Sequence, residues 1–152
     1  MRAFLRLLAV TTLMLGIVPL HAAWAGGEQG TPDEAKAMAE KAAALLQAEG
    51  FEKATAAFSV ADGPFRDRDL YVYIWNTEGK CLFNAGTPSL VGKVLIDMKD
   101  VDGTPIIRNL IAIQDRGWIS YNWPNPNTHK VQPKGTYIIA VGDMRLGVGA
   151  YK

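Results

Sequence analysis

The sequence predicts an α+β domain in which one long N-terminal helix lies across a face of an antiparallel sheet of about five strands. The first observation is a change of period: apolar residues recur every three or four positions in the N-terminal part of the domain and alternate after Asp62-Gly63-Pro64. The former spacing is typical of a helix and the latter of strands. The second observation is that the links between successive strands are short, which favours antiparallel pairing.

The long helix has clear start and stop signals. Thr31 is a capping residue, Pro32 suits the first helical position, and Glu34 completes a capping box. Gly50 is placed to end the helix. A second, shorter helix is predicted from Phe51 to Phe58.

The remaining elements follow from alternation and from turn residues. The sequence LYVYIWN predicts a strand from Leu70 to Asn76, with a turn at TEGK and a hairpin partner in CLFN. Thr104-Pro105 starts another short helix. Three further strands are predicted, the last two joined by a Gly142-Asp143 turn: Trp118 to Trp123, Lys134 to Val141, and Met144 to Tyr151.

The first 25 residues have the layout of a secretory signal peptide. Arg2 and Arg6 form a basic start, an apolar run extends from Leu7 to Leu20, and the small-residue site Ala23-Trp24-Ala25 predicts cleavage after Ala25. The apolar run is short for a membrane span and contains Pro19, so a retained anchor is the weaker interpretation. We therefore expect an exported protein, periplasmic or secreted, whose single domain covers residues 26–152.

Charge and cysteine content exclude several classes of protein. The chain has 16 Lys and Arg against 15 Asp and Glu, and loss of Arg2 and Arg6 leaves 14 against 15, a net charge of −1. A chain this close to neutral lacks the basic surface that binds nucleic acid or an anionic membrane. Cys81 is the only cysteine, so an intramolecular disulfide is impossible; we expect a buried, inert thiol, with pairing between chains as the alternative.

The residues that usually support catalysis or metal binding are scarce. His129, in a polar loop, is the only histidine outside the signal segment, and one His with one Cys does not make a usual zinc site. The sequence from Asp97 to Gly103 suggests a calcium loop, but alignment on Gly103 puts Met98 and Asn109 where carboxylates are required, so we interpret it as a turn with solvated acids. The sequence therefore predicts no catalytic residue, no metal site and no cofactor.

Five short motifs resemble, in order, the single Cache domain of type 2. The motifs are TPSLVGK (Thr87 to Lys93), DVDG (Asp100 to Gly103), GWISYNWPNP (Gly117 to Pro126), Lys134, and the C-terminal VGAYK. The match as a whole extends from about Thr31 to Tyr151, which is essentially all of the domain. The resemblance implies a PAS-like fold and an extracytoplasmic domain that senses small molecules such as organic acids or amino acids. Members of this family mostly form the ectodomains of chemoreceptors and histidine kinases, and some are free-standing exported proteins, as we expect for this chain.

The resemblance also implies where a ligand lies. Val72 and Ile74 belong under the helix, while the aromatic residues gather on the opposite, concave face of the sheet, with Lys134 as a partner for a carboxylate. The ligand-binding residues predicted in this way are Tyr71, Tyr73, Trp75, Asn84, Tyr121, Trp123 and Lys134. The alternative is that these aromatics are ordinary sheet core. Trp118, on the other face, is predicted to be core, and Arg108 is a second cationic candidate on a helix face that is more often solvated.

Two departures from the family pattern bear on function. Asn84 stands where many relatives have a histidine, and an amide cannot take up a proton near neutral pH. In addition, no transmembrane segment or effector follows the domain in this sequence, so signalling would pass through another protein, such as a membrane sensor. The alternative function is a non-catalytic interaction subunit that docks on a membrane-bound receptor or kinase.

Overall fold

A computed structural model describes residues 29–152. The predicted signal peptide and its cleavage site lie outside the described residues. Within residues 29–152, no helix combines the length and the apolar character that a membrane crossing requires.

The described chain forms three α-helices, one short 3-10 helix and a six-stranded antiparallel sheet. In chain order these are α1 (Pro32–Glu49), α2 (Phe51–Phe58), β1 (Arg66–Asp67), β2 (Leu70–Asn76), β3 (Cys81–Asn84), the 3-10 helix (Pro88–Leu90), α3 (Ile106–Ile111), β4 (Arg116–Pro124), β5 (Val131–Val141) and β6 (Met144–Tyr151). The sheet order is β1-β2-β6-β5-β4, with β3 also paired to β2. The α+β prediction is confirmed, with one two-residue strand more than expected.

The N-terminal helix starts and ends as the sequence predicts. The Thr31 hydroxyl accepts a hydrogen bond from the Glu34 backbone N–H, and the Glu34 carboxylate accepts one from the Thr31 backbone N–H. Gly50 ends the helix with a φ of 80°, a conformation that a residue with a Cβ rarely adopts. The cap fixes where α1 begins, and the helix then crosses β5 and β6.

One core lies between α1 and the sheet. Four of the six buried residues of α1 are alanines, among them Ala35, Ala39 and Ala42, so the helix axis approaches the sheet closely. Val72 and Ile74 of β2 are fully buried beneath it, as the resemblance implied. Because strand residues alternate between faces, this placement turns Tyr71, Tyr73 and Trp75 to the other side of the sheet.

Trp118 was predicted to be core, and this prediction is wrong. Its side chain is 44% exposed, and its ring packs against Tyr137 with 5.1 Å between centroids. The reason is that α1 packs mainly on the inner strands β5 and β6, while Trp118 stands on the edge strand β4. Trp118 is on the sheet face that α1 covers, but it lies beyond the edge of the core.

Strand β5 begins three residues earlier than predicted, at Val131 rather than Lys134. Pro133 suggested a loop, because proline cannot donate to a sheet ladder. It is tolerated because β6 ends at Tyr151, opposite Lys134, so the sheet ladder requires no N–H from Pro133. The Pro133 carbonyl still accepts a hydrogen bond from the Lys152 backbone N–H. The longer strand places Lys134 inside the sheet rather than ahead of it.

Candidate functional site

A small cavity lies on the sheet face opposite α1. Six of its lining residues were predicted from the sequence, and three more come from helix α3: Tyr71, Tyr73, Trp75, Asn84, Tyr121 and Trp123, with Ile106, Ile107 and Leu110. The aromatic residues come from β2 and β4, which lie on opposite sides of β6 and β5 in the sheet. The cavity therefore has a sheet floor that spans four strands and a roof formed by α3.

Two glycines in β6 make the floor of this site possible. A Cβ on Gly147 would lie 2.6 Å from Tyr73 Cζ, and a Cβ on Gly149 would lie 2.4 Å from Lys134 Cε. Both distances are shorter than atoms tolerate, so the side chains of Tyr73 and Lys134 can lie flat over β6 only because these positions have no side chain. No role was predicted for these glycines; their alternation within a strand is the signal that could have indicated a close approach of other side chains.

The polar groups of the aromatic face are joined by hydrogen bonds. The hydroxyl of Tyr121 lies 3.2 Å from the hydroxyl of Tyr73 and 3.1 Å from the Thr136 hydroxyl. The Trp123 ring packs edge-on against Tyr121, with 6.1 Å between centroids. Burial raises the pKa values of Tyr73 and Tyr121, so both are neutral hydroxyl groups that can donate or accept.

Asn84 closes the site on the β3 side. It is buried, and its side-chain oxygen accepts hydrogen bonds from the backbone N–H groups of Gly86 and Thr87. These bonds fix the start of the loop that carries the TPSLVGK motif. Within residues 29–152, the hydrogen bonds recorded for the Asn84 side chain use its oxygen, and its NH2 group is the donor that it can offer to the cavity.

Lys134 lies beside the cavity rather than in its lining. Its side chain is 1% exposed, its Nζ is 4.0 Å from the centroid of the Tyr71 ring and 4.5 Å from that of Tyr151, and it donates to the Tyr151 hydroxyl at 3.3 Å. Tyr71 thus stands between the ammonium group and the cavity. Burial lowers the pKa of Lys134 to about 7, and the negative charge of Asp69 partly offsets this effect.

On its other side Lys134 borders an open groove. The groove is also lined by Tyr121, so this tyrosine separates it from the aromatic cavity. Its remaining lining residues are Asp100, Asp102, Thr104, Ser120, Asn122, Pro133 and Lys152. Tyr71 and Tyr121 stand between the aromatic face and Lys134. A ligand that contacts both would therefore occupy space that one of these side chains now fills.

Asp100 organises the loop at this groove, where the sequence had suggested only solvated acids. Its carboxylate accepts hydrogen bonds from the backbone N–H groups of Asp102 and Thr104, and also from the backbone N–H of Asn122 on β4. These donors, that of Asn122 first, lower the pKa of Asp100 to about 2. The loop before α3 is therefore fastened to the edge of the sheet through one ionised side chain.

We expect Asp100→Asn to loosen this fastening and to weaken the acid resistance of the domain. Because the folded-state pKa of Asp100 lies below its unfolded value, its stabilising contribution is present above about pH 4 and is lost as pH falls toward 2. The melting temperature of the variant should be lower than wild type at pH 7 and should approach it at pH 2–3. An equal difference at both pH values would contradict the role of the carboxylate charge; Asp97→Asn, on the same loop, is the control.

The other candidate residues lie outside the site. Arg108 is exposed on α3 and forms an ion pair with Asp97. His129 is exposed in the loop between β4 and β5, and Cys81 is buried in β3, where burial raises the pKa of its thiol to about 11. Within residues 29–152, no group of three or more His, Cys, Asp or Glu is placed to hold a metal ion.

Comparison with known proteins decides the family. Residues 9–151 match the family model of single Cache domain 2. The chain belongs to this family. The match begins within the segment predicted to be a signal peptide.

Solved Cache domains share the fold. A methyl-accepting chemotaxis protein of Vibrio parahaemolyticus superimposes with a TM-score of 0.68 at 24% identity, over 78% of this chain and 86% of that one. A Cache chemosensory domain solved to explain carboxylic acid recognition gives a TM-score of 0.59 at 20% identity, over 78% and 86% of the two chains. At these identities the structures establish the Cache fold of this chain and leave its ligand to be argued from its own residues.

A curated relative is also a chemoreceptor. The methyl-accepting chemotaxis protein McpP of Pseudomonas putida is 29% identical over 75 residues, which is 47% of this chain and 14% of the receptor. The matched segment is thus a small part of a far longer protein.

The Cache sheet brings together most of what the sequence predicted and adds residues that it did not. Six of the seven predicted ligand-binding residues surround one cavity, and Lys134 stands one side chain behind it. Helix α3 was predicted as a short helix but not as the roof of the site. Asp69, a buried carboxylate next to a short turn, was also missed, since nothing in a charged stretch such as RDRD marks one acid as buried.

Proposed function

We propose that this chain is an exported Cache sensor domain that binds a small carboxylate-containing metabolite without catalysis. The observation that carries the proposal is the pairing of an aromatic, hydroxyl-lined cavity with a buried lysine directly behind its wall. The α3 residues and Trp75 supply an apolar surface for the body of a ligand. Tyr71, Tyr121 and Lys134 supply donors and a positive charge for its carboxylate.

The size of the cavity bears on how a ligand is admitted. The space open to the centre of a water molecule is about 20 Å³, which is room for one water. A carboxylic acid of four or more heavy atoms needs a larger space, so binding requires that α3 or the aromatic side chains move outward. Helix α3 is only six residues long, and outward movement would separate the buried side chains of Ile106, Ile107 and Leu110 from the aromatic face.

The proposed partners are a small-molecule ligand and, for signalling, a membrane-bound sensor protein. The sensor protein is proposed because the relative is a chemoreceptor, and not on the basis of a contact in this structure. We propose a periplasmic or secreted location on the basis of the predicted signal peptide. The alternative, a docking subunit without a functional pocket, would retain the fold but would show no response to small molecules.

A thermal-shift series with a matched pair of tryptophan variants tests the proposal. We expect acetate, propionate, butyrate and hexanoate, at millimolar concentration, to include at least one acid that raises the melting temperature, because a ligand at 100 times its Kd adds about 2.7 kcal/mol of stability. Trp123→Ala and Tyr121→Ala should lose this shift and remain folded. Trp118→Ala, which removes an exposed tryptophan from the opposite face of β4, should keep it.

Three outcomes would contradict the proposal. If no acid, amino acid, amine or purine shifts a cooperative melt, the docking function is favoured. If Tyr121→Ala and Trp123→Ala both fail to fold, the aromatic face is core rather than pocket wall. If Trp118→Ala loses the shift as completely as Trp123→Ala, binding occurs on the other face of the sheet.

A further inference from the structure

The side-chain amide of Asn84 has a fixed orientation. Its oxygen accepts hydrogen bonds from the backbone N–H of Gly86 at 3.1 Å and from the backbone N–H of Thr87 at 2.7 Å. If the amide were flipped, its NH2 group would face these two N–H donors and both bonds would be lost. The oxygen is therefore committed to the loop, and the NH2 group is directed away from it.

The NH2 group of Asn84 borders the cavity. The residue is 5% exposed, and it lines the cavity wall. Within residues 29–152 this NH2 group has no hydrogen-bond acceptor, although every fully buried side-chain nitrogen and oxygen in this part of the chain has a partner. The nitrogen is thus not fully buried, and a ligand in the cavity can accept a hydrogen bond from it.

The other polar groups of the cavity wall also favour a ligand that carries acceptors. Among the described residues, none that lines the cavity is acidic. The hydroxyl groups of Tyr73 and Tyr121 are already hydrogen-bonded to each other, and that of Tyr121 also to Thr136. A tryptophan indole is a donor only. A carbonyl or carboxylate oxygen therefore finds donors here, whereas the ammonium group of an amine finds no charged acceptor.

Asn84 and Lys134 approach Tyr71 from opposite sides of β2. Strands β3 and β6 pair with opposite edges of β2. Lys134 crosses β6 above Gly149 and places its Nζ 4.0 Å from the centroid of the Tyr71 ring. On the β3 side Gly86 packs on the same ring, since a Cβ at this position would lie 2.3 Å from Tyr71 Cζ. The ring thus separates the amide donor from the ammonium donor, which favours a ligand with two polar groups at different positions.

We propose that Asn84 determines specificity: its NH2 group binds an uncharged acceptor, such as a ketone oxygen, that lies several carbon atoms away from the ligand carboxylate. The inference rests on the proposed function, because the carboxylate is the group assigned to the Lys134 side of Tyr71. A carboxylic acid with a distal oxo group is then preferred over an acid of equal length without one. One neutral hydrogen bond accounts for a preference of about three- to tenfold.

Probes of equal carbon number separate the two polar groups. Of these, 4-oxopentanoate has a carboxylate and a distal oxo group, pentanoate has only the carboxylate, and pentan-2-one has only the oxo group. In calorimetric titration of the wild-type protein we expect a Kd about three- to tenfold lower for 4-oxopentanoate than for pentanoate. Equal Kd values would overturn the proposal. An equal gain with 2-oxopentanoate, whose oxo group adjoins the carboxylate, would contradict the distal position of the acceptor.

Asn84→Asp changes the atom that faces the cavity and keeps the loop in place. One carboxylate oxygen still accepts from the same two backbone N–H groups, but the other oxygen cannot donate to a ligand. The preference for 4-oxopentanoate over pentanoate should disappear, while the added negative charge weakens the binding of both acids. A variant that retains the preference would overturn the proposal.

Asn76→Asp is the matched control. The Asn76 side-chain oxygen accepts hydrogen bonds from the backbone N–H groups of Glu78 and Lys80 in the same manner. Asn76 is the last residue of β2 and does not line the cavity. This variant should keep the full preference for 4-oxopentanoate, and a loss equal to that in Asn84→Asp would show a general effect of added charge.

The side-chain NH2 signals of Asn84 in an NMR titration of the wild-type protein provide a readout if Asn84→Asp fails to fold. We expect them to move with 4-oxopentanoate and to move little with pentanoate. If both acids bind and move the signals equally, the carboxylate function stands and the proposal for Asn84 is overturned. If neither acid binds but pentan-2-one binds and moves the signals, the carboxylate function fails and the acceptor site at Asn84 stands. If no probe binds, both are overturned.

Discussion

Replacement of Lys134 by methionine is expected to raise the melting temperature of the domain at neutral pH and to abolish carboxylate binding. Burial of the ammonium group is unfavourable, as its lowered pKa indicates, whereas methionine fills a similar volume without a charge. Asp69 is not left without partners, because Gly30 and Asn125 still donate to it. We expect a gain on the order of 1–3 kcal/mol, which corresponds to a rise of several degrees, measured by calorimetry.

The pH dependence of this gain identifies its cause. Because the folded protein holds the Lys134 proton less tightly than the unfolded chain does, the unfolded state binds more protons between about pH 7 and pH 10. Wild-type stability therefore gains a contribution from Lys134 as pH rises through this window, and Lys134→Met lacks this contribution. The advantage of the variant should be largest below pH 7 and should shrink toward pH 10.

Lys152→Met is the control for this experiment. Lys152 borders the same groove but is exposed, so its removal should change neither the melting temperature nor binding appreciably. A fall in the melting temperature of Lys134→Met would show that Lys134 is held mainly for stability. Retained acid binding in Lys134→Met would remove it from the proposed site.

Gly147→Ala is expected to cost about 3 kcal/mol of stability and to disrupt the cavity. The added methyl group would lie 2.6 Å from Tyr73 Cζ and 2.8 Å from Ile138 Cδ1, both in buried side chains. Tyr73 would have to move, and its hydrogen bond to Tyr121 would break. Overpacking of this kind typically costs 1–3 kcal/mol, to which a broken buried hydrogen bond adds about 1 kcal/mol.

Gly135→Ala is the matched control, a glycine on the neighbouring strand with space around it. The atom nearest to its added Cβ is Trp118 Cε3, at 3.9 Å. This variant should be as stable as wild type or slightly more stable, because alanine restricts the unfolded chain. Chemical denaturation of both variants distinguishes crowding from a general effect of glycine replacement. Equal stability of Gly147→Ala and wild type would contradict the account of the sheet floor.

The helices and the main strands could be predicted because their signals are local. The capping box at Thr31 and the alternation in LYVYIWN each depend on a few neighbouring residues, and both are found in the structure. The exposure of Trp118 could not be predicted in this way, since it depends on how far α1 extends across the sheet. The start of β5 was also missed because it depends on a distant element: Pro133 is tolerated in the strand only where β6 has ended.

The site was predictable as a face but not as a cavity. Period-two alternation places Tyr71, Tyr73 and Trp75 together, and the family resemblance added Tyr121, Trp123 and Asn84, all of which line the cavity. The position of Lys134 behind Tyr71 depends on the space above Gly149, and the burial of Asp69 depends on contacts with Gly30 and Asn125. These are contacts between residues far apart in the sequence, which no local pattern encodes.

Calorimetric titration of the wild-type protein with butyrate and with its neutral analogue butyramide, between pH 6 and pH 9, tests the central claim most directly. A site built on the Lys134 ammonium group and the aromatic face should bind the acid but not the amide. Its affinity should fall by about tenfold per pH unit above pH 7, as Lys134 loses its proton in the free domain. Equal binding of acid and amide, or an affinity for the acid that does not change with pH, would contradict the claim.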